Sequence, residues 1–417
     1  MKKNIWIWNH HATNMFKDRA GRHYWFAENL IKQGYNPSIF CASTNHFSNE
    51  NIDTKGDRYI VESINDVPFV CVNTPDYVGN GKKRILNMVS FYRNLFPVAK
   101  DYAKKNGNPD VIVASSVHPL TLVAGIKVAR KFGIPCICEV RDLWPETLVA
   151  YNSLTRNSTI ARLLYSGERW VYSRANMLIF TMEGGKDYII EKRWDSEHGG
   201  PINLQKVHHI NNGVDLEAFD YNKEHYILED DDMDDDTLFK VVYTGSIRQV
   251  NKIDKVLDAA KIIGDQNIKF LIWGSGDQLE SLKKRVLHEQ INNVCFKGRV
   301  DKKYVPYITN KAQLNIILGD NNLLYRYGGS MNKLFEYFAS GKPVLSSFKM
   351  EFSLIDRFKT GIELEDSSPQ NIAESIMYFK NLVKEDYEGY CKAAKQASEN
   401  YNFCKLTNLL IRIIEDC

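Results

Sequence analysis

The segment Tyr327–Val344 reads YGGSMNKLFEYFASGKPV and brings glycine, lysine and glutamate together at the start of a predicted helix. Two glycines and Ser330 precede a helix that should begin near Met331, and a helix N-terminus offers free N–H groups and a positive dipole to a diphosphate. Lys333 adds a cation in the first turn, and the Glu336 carboxylate can accept two hydrogen bonds from a ribose diol. The alternative is a capped helix packed on a sheet, with Glu336 as a surface acid.

A second candidate lies in residues 241–252, VVYTGSIRQVNK, where a predicted strand ends at Gly245 and Ser246 and a helix follows. Arg248 and Lys252 are the cations of this turn. Either of them can equally be an ordinary surface cation.

Two further strand ends complete the pattern in the second half of the chain. Residues 270–280, FLIWGSGDQLE, form a strand–turn–helix unit with Gly274 and Ser275 in the turn, although any such turn can use two glycines. Residues 296–300, FKGRV, place Arg299 and Val300 after the next strand.

In the first half of the chain, polar residues also follow predicted buried strands. SSVH, residues 115–118, closes one strand, so His118 is expected at a cleft as a catalytic candidate; a lone histidine is also often merely packed in the protein. RDLWPE, residues 141–146, follows the next strand and places Arg141, Asp142 and Glu146 at the cleft rim. Asp142 is either a base near a substrate hydroxyl or a structural partner of Arg141.

Apolar runs that alternate with amphipathic stretches predict two parallel α/β sheets. The expected strands and helices in the first half are 4–8, 21–33 (helix), 37–41, 111–115, 120–132 (helix), 135–140, 177–181 and 207–210. In the second half they are 240–244, 253–263 (helix), 269–273, 278–289 (helix), 294–297, 305–310 (helix), 314–318, 332–340 (helix) and 343–346. We therefore expect domains at 1–215 and 216–400, followed by a terminal helix, 401–417, that packs back toward the first domain.

Composition excludes several classes of protein. The chain has 417 residues, 54 basic and 51 acidic, for a net charge of +3, which disfavours a nucleic-acid binder. With 44% apolar residues it is not a disordered chain. Eight cysteines with one close pair, Cys136 and Cys138 in a buried-strand pattern, indicate core thiols rather than a zinc site. With no signal peptide pattern and no membrane-helix run, the expected location is cytoplasmic.

Most of the acid surplus of the second half lies in one run, Glu229–Asp236, which contains D-x-D patterns. Such patterns can bind a metal ion. Because this run lies between the predicted domains without an apolar flank, we expect a solvated linker loop instead.

The pattern S-x-N-K-L-F-E-Y-x-A-x-G-K-P-V at 330–344 resembles the donor-binding motif of GT-B glycosyltransferases of the retaining family GT4. It is most similar to the subgroup that transfers N-acetylated amino sugars in O-antigen and capsule synthesis, which also carries an RDxWPE signature. The resemblance implies two Rossmann-like doubly wound domains facing across a cleft. It also implies a nucleotide-sugar donor, UDP-linked rather than GDP-linked, and a glycan or polyprenyl-linked acceptor.

The same resemblance implies roles for individual residues. Glu336 would hold the ribose, and the amides around Met331 and Asn332 would hold the diphosphate. The glycine turns at 245–246 and 274–275 would flank the donor phosphates and nucleotide, and Arg299 and Val300 would flank the base. Arg248 and Lys252 would stabilise charge on the phosphates during catalysis. In the first domain, Gly21 and Arg22 match a family loop near donor and acceptor, although this loop can also lack a ligand.

One position departs from the family pattern. Many members have a glutamate eight residues before the ribose-binding one, near the donor sugar, and here that position is Gly328. The identity of the sugar therefore does not carry over from the family.

The resemblance further implies front-face attack with retention of configuration, no enzyme nucleophile, no metal and no cofactor. Two other readings remain: a GT-B-fold UDP-sugar epimerase and a non-catalytic nucleotide-sugar-binding subunit. A Rossmann dehydrogenase is disfavoured because no GxGxxG follows the first strand.

A basic amphipathic segment occurs at 82–96, where Ile85, Met88, Val89, Tyr92 and Phe96 recur at helical spacing after three basic residues. Such a helix can contact an anionic membrane at its inner face, which suits a lipid-linked acceptor. The alternative is an ordinary core-facing helix with a charged start.

Overall fold

The computed structural model describes residues 3–46, 50–77, 79, 81–265 and 267–417. The chain divides into two compact units: unit 1 contains residues 1–211 and 403–417, and unit 2 contains residues 212–402. Each unit is built on its own sheet with helices packed against it.

Within the described residues, unit 1 has an eight-stranded sheet in the order β3-β4-β2-β1-β5-β6-β7-β8, parallel except for the β3–β4 pair. Its strands are β1 (Asn4–Trp8), β2 (Asn36–Ala42), β3 (Tyr59–Ile64), β4 (Val67–Val72), β5 (Val111–Ser115), β6 (Cys136–Val140), β7 (Met177–Phe180) and β8 (Val207–His209). Helices cover both faces of a parallel sheet, so central strands such as VIVAS and CICEV are buried throughout.

The helices of unit 1 are α1 (Thr13–Asp18), α2 (Arg22–Lys32), α3 (Lys82–Asn106), α4 (Pro119–Phe132), α5 (Glu146–Ala150), α6 (Thr159–Arg174) and α7 (Gly185–Glu191). Helix α3 packs against α4, and α4 packs against α6, so these three form one continuous layer.

Within its described residues, unit 2 has a six-stranded parallel sheet in the order β11-β10-β9-β12-β13-β14. Its strands are β9 (Phe239–Thr244), β10 (Ile268–Trp273), β11 (Val294–Gly298), β12 (Leu314–Ile317), β13 (Val344–Ser346) and β14 (Gly361–Glu363). Its helices are α8 (Leu216–His225), α9 (Asp231–Asp234), α10 (Ile253–Ile263), α11 (Leu279–His288), α12 (Val305–Lys311), α13 (Asn332–Ala339), α14 (Leu354–Phe358), α15 (Pro369–Lys380) and α16 (Lys384–Asn400).

The chain ends in helix α17 (Phe403–Glu415), which belongs to unit 1 and packs along α2. Phe403, Leu406 and Leu410 form its buried stripe, and the Phe403 ring meets Phe26 of α2 edge-on, with centroids 5.4 Å apart. Each unit contains one doubly wound α/β sheet, which confirms the prediction of two such sheets.

The acidic run is not the solvated linker loop that its composition suggested. Residues Asp231–Asp234 form the short helix α9, and Met233 is fully buried among residues of unit 2. Lys297 forms ion pairs with Asp230 and Asp232 at 2.7 and 2.6 Å, and Lys240 donates a hydrogen bond to the Met233 carbonyl. A single apolar residue thus anchors the run, and lysines from the sheet balance its charge.

The predicted amphipathic stripe of residues 82–96 is largely covered by protein. The ring of Tyr92 lies under Lys127 of α4, and the ring of Phe96 lies under Lys131. Exposed apolar side chains occur only at the start of α3, where Ile85 and Leu86 are 61% and 57% exposed. As a whole, this helix is therefore a packed, core-facing helix. Across the described residues, none of the helices combines the length and the apolar character needed to span a bilayer.

Candidate functional site

The strand order of unit 2 creates a place for a ligand at the carboxyl ends of its strands. The chain leaves β9 toward β10 on one side, whereas β12 lies on the other side, so the connections after these two strands diverge. Open α/β sheets bind ligands in the crevice outside such a switch point.

Three turns at this edge are joined directly through their backbones. The Gly245 N–H donates to the Trp273 carbonyl at 3.0 Å, and the Gly274 N–H donates to the Gly298 carbonyl at 2.8 Å. A Cβ on Gly274 would lie 1.7 Å from the Gly245 oxygen, so no larger residue fits there. The glycines predicted to flank a donor therefore first serve the close packing of the turns after β9, β10 and β11.

Helix α13 begins at Asn332 beside these turns. Its N-cap residue, Met331, makes no side-chain capping hydrogen bond, and Asn332 is exposed. Farther along, the Tyr337 hydroxyl accepts a hydrogen bond from the Thr244 N–H at 3.0 Å, which ties the helix to the end of β9. The predicted diphosphate position, a helix N-terminus with free N–H groups, is therefore held at the switch point.

Lys333 lies against the turn that follows β9. Its Nζ lies 4.1 Å from the centroid of the Tyr243 ring and 2.7 Å from where a Cβ on Gly245 would stand. Burial lowers the pKa of Lys333 to about 8, against a smaller opposing effect of Glu336. An anion bound here would restore the lysine's full charge.

Glu336 is not the isolated surface acid of the alternative interpretation. Its side chain is 20% exposed, and its Oε1 lies 3.4 Å from Nζ of Lys302. Lys302 follows Arg299, which is exposed, and Val300, which packs beside the core around Met233. The loop after β11 therefore approaches the same helix face as Glu336, and Lys302 is a cation of this region that the sequence analysis missed.

Lys252 and Arg248 differ in their surroundings. Lys252 forms an ion pair with Asp320 at 3.1 Å, and Lys255 pairs with the same carboxylate. Burial would raise the pKa of Asp320, but Lys255 and Lys252 together lower it. Arg248 and Ser246 are exposed in the turn itself. Asp320, which follows β12, was not predicted.

The loop before α13 is fixed by the start of unit 2. The Ser330 hydroxyl accepts a hydrogen bond from the Asn212 N–H at 2.9 Å, and the Ser330 carbonyl accepts one from the Asn212 side chain at 2.8 Å. Gly328 has φ +77°, and a Cβ there would lie 3.3 Å from the Glu351 oxygen. Glycine at this position is therefore required by the backbone of the loop.

In unit 1, the corresponding edge carries histidines. His118 follows β5 and is 2% exposed, and its Nε2 lies 2.7 Å from Nδ1 of His10, which follows β1. Burial, with a smaller effect of Arg84, lowers the pKa of His118 to about 3. Burial also lowers the pKa of His10, so both rings are neutral near pH 7.

Two more histidines extend this group. His11 stacks on His46, which follows β2, with ring centroids 4.5 Å apart, and His46 Nδ1 lies 2.8 Å from the Tyr77 hydroxyl. We call His10, His11, His46 and His118 the histidine edge. His118 alone was predicted, because His10 and His11 meet His118 and His46 only through the pairing of β1 with β5 and β2.

Arg22 requires a correction. It was predicted to bind the donor, but its side chain is buried in an ion pair with Glu139 at 2.8 Å. It also donates to the carbonyls of Asn211 and Ile210 at 2.6 and 2.9 Å. The guanidinium therefore serves the interior of unit 1. Gly21, with φ +119°, is the N-cap of α2.

Glu146 requires a similar correction, because it does not lie on an open rim. It is 3% exposed and accepts hydrogen bonds from Tyr165 at 2.6 Å and Lys192 at 2.7 Å, and it also pairs with Arg156. Arg141 and Asp142, which begin the same RDLWPE segment, follow β6 and are half-exposed and exposed, respectively.

Comparison with known proteins places this geometry in a family context. The model "Glycosyl transferase 4-like domain" matches residues 22–199, and "Glycosyl transferases group 1" matches residues 231–397. The chain is 24% identical over 294 residues to the probable glycosyltransferase WbjE of Pseudomonas aeruginosa, which is 69% of each protein.

Two solved structures are similar over essentially their whole length. Sucrose-phosphate synthase of Thermosynechococcus elongatus superposes with a TM-score of 0.71 at 16% identity, covering 100% of this chain and 99% of that one. Anabaena HepE in complex with UDP superposes with a TM-score of 0.69 at 12% identity, covering 100% of both chains. The fold is GT-B, and with the two family matches it defines this chain as a glycosyltransferase.

Proposed function

We propose that the protein is a retaining, metal-independent glycosyltransferase that uses a UDP-linked sugar, of the N-acetylated hexosamine type. The acceptor would be a glycan or a polyprenyl-linked saccharide in the synthesis of a bacterial surface polysaccharide. The observation that carries the proposal is the start of α13 at the switch point of unit 2, between Lys333 and the glycine turns. The complex of HepE with UDP supports the choice of nucleotide.

In this proposal the donor lies along the carboxyl edge of unit 2. The N–H groups at Met331 and Asn332 and the Lys333 ammonium bind the diphosphate, and Glu336 accepts hydrogen bonds from the ribose. Arg299 and Val300 flank the base, and Ser246 and Ser275 line the turns beside the phosphates. Lys302, whose Nζ lies 3.4 Å from Oε1 of Glu336, orients that carboxylate.

The chemistry then needs position and charge rather than a nucleophile from the enzyme. The acceptor hydroxyl attacks the anomeric carbon from the side on which the diphosphate departs. The bond between that carbon and the phosphate oxygen breaks, and the acceptor proton passes to the departing phosphate. Lys333, Arg248 and Lys252 stabilise the negative charge that develops on the leaving group.

We assign the acceptor to unit 1. Arg141 and Asp142 follow β6, and the four residues of the histidine edge follow β1, β2 and β5. All of them therefore lie at the carboxyl ends of strands in the unit 1 sheet. Neutral imidazoles both donate and accept hydrogen bonds, which suits hydroxyl groups better than phosphate. In this assignment His118 contacts a reacting sugar, and Asp142 lies near the attacking hydroxyl.

The donor site is tested by titrating UDP into Glu336→Gln. We expect affinity to fall at least about tenfold, because hydrogen bonds to a charged group are lost. The matched control is Glu385→Gln on the exposed first turn of α16. Unchanged affinity in folded Glu336→Gln would contradict the site.

The reaction is tested by incubating the protein with UDP-N-acetylhexosamines, with and without saccharide acceptors. Acceptor-dependent release of UDP and a product with the donor's anomeric configuration are expected. A second free sugar would indicate an epimerase, and binding without turnover would indicate a binding subunit; both would overturn the proposal.

A further inference from the structure

Strand β3 is the most open of the sheet edges. Among the described residues, the two sheets end in the edge strands β3, β8, β11 and β14. Strands β8 and β14 are three residues long, and the pairing of β11 with β10 contains a register shift. Strand β3 has six residues, pairs with β4 in unbroken register and contains neither proline nor lysine. Folded proteins usually shorten, bend or charge such an edge, because its unpaired backbone groups can bind another strand.

The pairing of β3 with β4 shows which backbone groups of β3 face outward. The Arg58 carbonyl accepts a hydrogen bond from the Asn73 N–H at 3.0 Å, so the backbone of Arg58 faces β4. Successive residues of an antiparallel pair alternate in direction, and therefore the N–H and C=O groups of Tyr59, Val61 and Ser63 point away from β4. Each of these three residues offers a donor and an acceptor to a further strand.

An open groove runs beside this edge, on the face that β3 turns toward α3. Arg58, Tyr59 and Val61 line the groove from β3, and Asp101 and Lys105 line it from α3. The Tyr59 hydroxyl donates to Asp101 at 2.7 Å and accepts from Lys105 at 3.2 Å, so the ring is held in place. Val61 points to the same face, two residues further along, and is 44% exposed. An exposed valine therefore lies beside a fixed aromatic ring, with room for another side chain.

The charges of β3 complement those of a second copy of the same strand. When two copies lie antiparallel about a two-fold axis through Ile60, Arg58 of each copy lies opposite Glu62 of the other; both residues are exposed. The same register sets Tyr59 opposite Val61, so the outward-facing backbone groups of these residues bond to each other. A shift by two residues in either direction would set one of the charged residues opposite Ile60 and lose both ion pairs.

We propose that two copies of this chain form a dimer through β3, in this register, with one continuous sheet across both copies. Val61 of each copy enters the groove beside Tyr59 of the other, and the Arg58–Glu62 ion pairs fix the register. Because the interface is two-fold symmetric, every contact occurs twice. This assembly does not depend on the proposed function.

The charge pairs are tested by sedimentation velocity of the full chain over a range of concentrations, where the wild type should form a dimer. Glu62→Arg and Arg58→Glu each set like charges opposite one another at both ends of the interface, so we expect the dimer Kd to rise at least about tenfold. Combining Arg58→Glu with Glu62→Arg restores opposite charges and should restore the dimer. The matched control, Glu385→Arg on the exposed first turn of α16, should leave the dimer unchanged.

The backbone pairing is tested separately with Val61→Pro. This change removes an N–H that faces away from β4, so the β3–β4 ladder stays intact, and proline is tolerated at such an edge position. We expect no dimer in this variant, whereas Val61→Thr, which keeps the N–H, should still form one. Circular dichroism and thermal unfolding verify that each variant is folded.

Three outcomes would overturn the proposal. A wild type that stays monomeric at every concentration would leave β3 to a different partner, and a dimer that persists in both Glu62→Arg and Val61→Pro would use another surface. A charge-swapped double variant that stays monomeric would exclude this register. None of these readouts needs sugar transfer or nucleotide binding, so failure here is distinct from failure of the proposed function.

Discussion

The carboxyl edges of the two sheets share a topology but differ in chemistry. In unit 2 the edge is made of glycine turns, a helix start and lysines such as Lys333. In unit 1 it is made of buried, neutral imidazoles, of which His10 and His118 are in direct contact. The edge of unit 2 suits a charged ligand group that is the same in every donor, and the edge of unit 1 suits uncharged hydroxyl groups.

The cations at the two edges also differ in whether they remain available to a ligand. Arg22 of unit 1 is buried with Glu139 and serves the fold. Lys252 of unit 2 pairs with Asp320 while both side chains stay partly exposed, at 29% and 42%. A cation near a strand end is therefore available to a ligand only when the interior does not already require it.

The largest expected effect separates these two kinds of cation. Arg22→Leu leaves Glu139 buried without its main partner, so we expect the free energy of unfolding of unit 1 to fall by about 3–5 kcal/mol. The comparison variant is Arg285→Leu, which loses ion pairs with Glu289 and Asp258 that are both partly exposed and should each contribute at most about 1 kcal/mol. Denaturant unfolding measures both, and similar losses in the two variants would refute the structural role of Arg22.

The second effect concerns the backbone of the unit 2 edge. Gly274→Ala forces the turns after β9 and β10 apart, so we expect a loss of about 3 kcal/mol in stability and weaker UDP binding. Gly264→Ala, where an added Cβ would lie 3.7 Å from its nearest neighbour, should cost about 1 kcal/mol and leave UDP binding unchanged. Equal UDP affinity in the two variants would show that the glycine turns do not contribute to the UDP site.

The third effect concerns the histidine edge of unit 1 and should not change UDP binding by unit 2. His118→Asn is expected to lower kcat for sugar transfer by about 10²-fold, because the contact that positions the reacting sugar is lost, while UDP affinity stays at the wild-type value. Because burial lowers the pKa of His118 to about 3, this ring is neutral across the physiological range, and the wild-type pH–rate profile should contain no step from it above pH 5. Weaker UDP binding in this variant would contradict the division between the edges.

The smallest effect is a pH dependence that belongs to unit 2. With the pKa of Lys333 at about 8, the ammonium is present below that pH and is lost as the pH rises through it. UDP affinity should therefore decline above pH 8, and Lys333→Met should bind about tenfold more weakly near neutral pH without that decline. A decline that persists in Lys333→Met would assign the titration to another group.

Much of the fold follows from local sequence. Apolar runs and helical periodicity predicted β1, β5 and α10 with their observed ends. The β3–β4 hairpin was missed because β3 is an edge strand exposed at several positions, although its two-residue turn, Asn65-Asp66, has the positive φ values of such hairpins. Strand β14 was missed because three half-buried residues carry too little pattern.

The residues of the candidate site also fall into those that local sequence predicted and those that it missed. Residues on one contiguous motif, such as Lys333 and Glu336, were predicted because a helix start fixes their spacing. Lys302 and Asp320 were missed because each meets its partner only through the packing of separate βα units. The acidic run was misjudged because Met233, a single apolar residue among seven acids, was the only local sign of burial.

The most direct measurement is a crystal structure of the protein soaked with UDP. We expect the diphosphate on the N–H groups at the start of α13 beside Lys333 and the ribose hydroxyls on Glu336. UDP bound at the histidine edge of unit 1, or at unit 2 away from α13, would contradict the account.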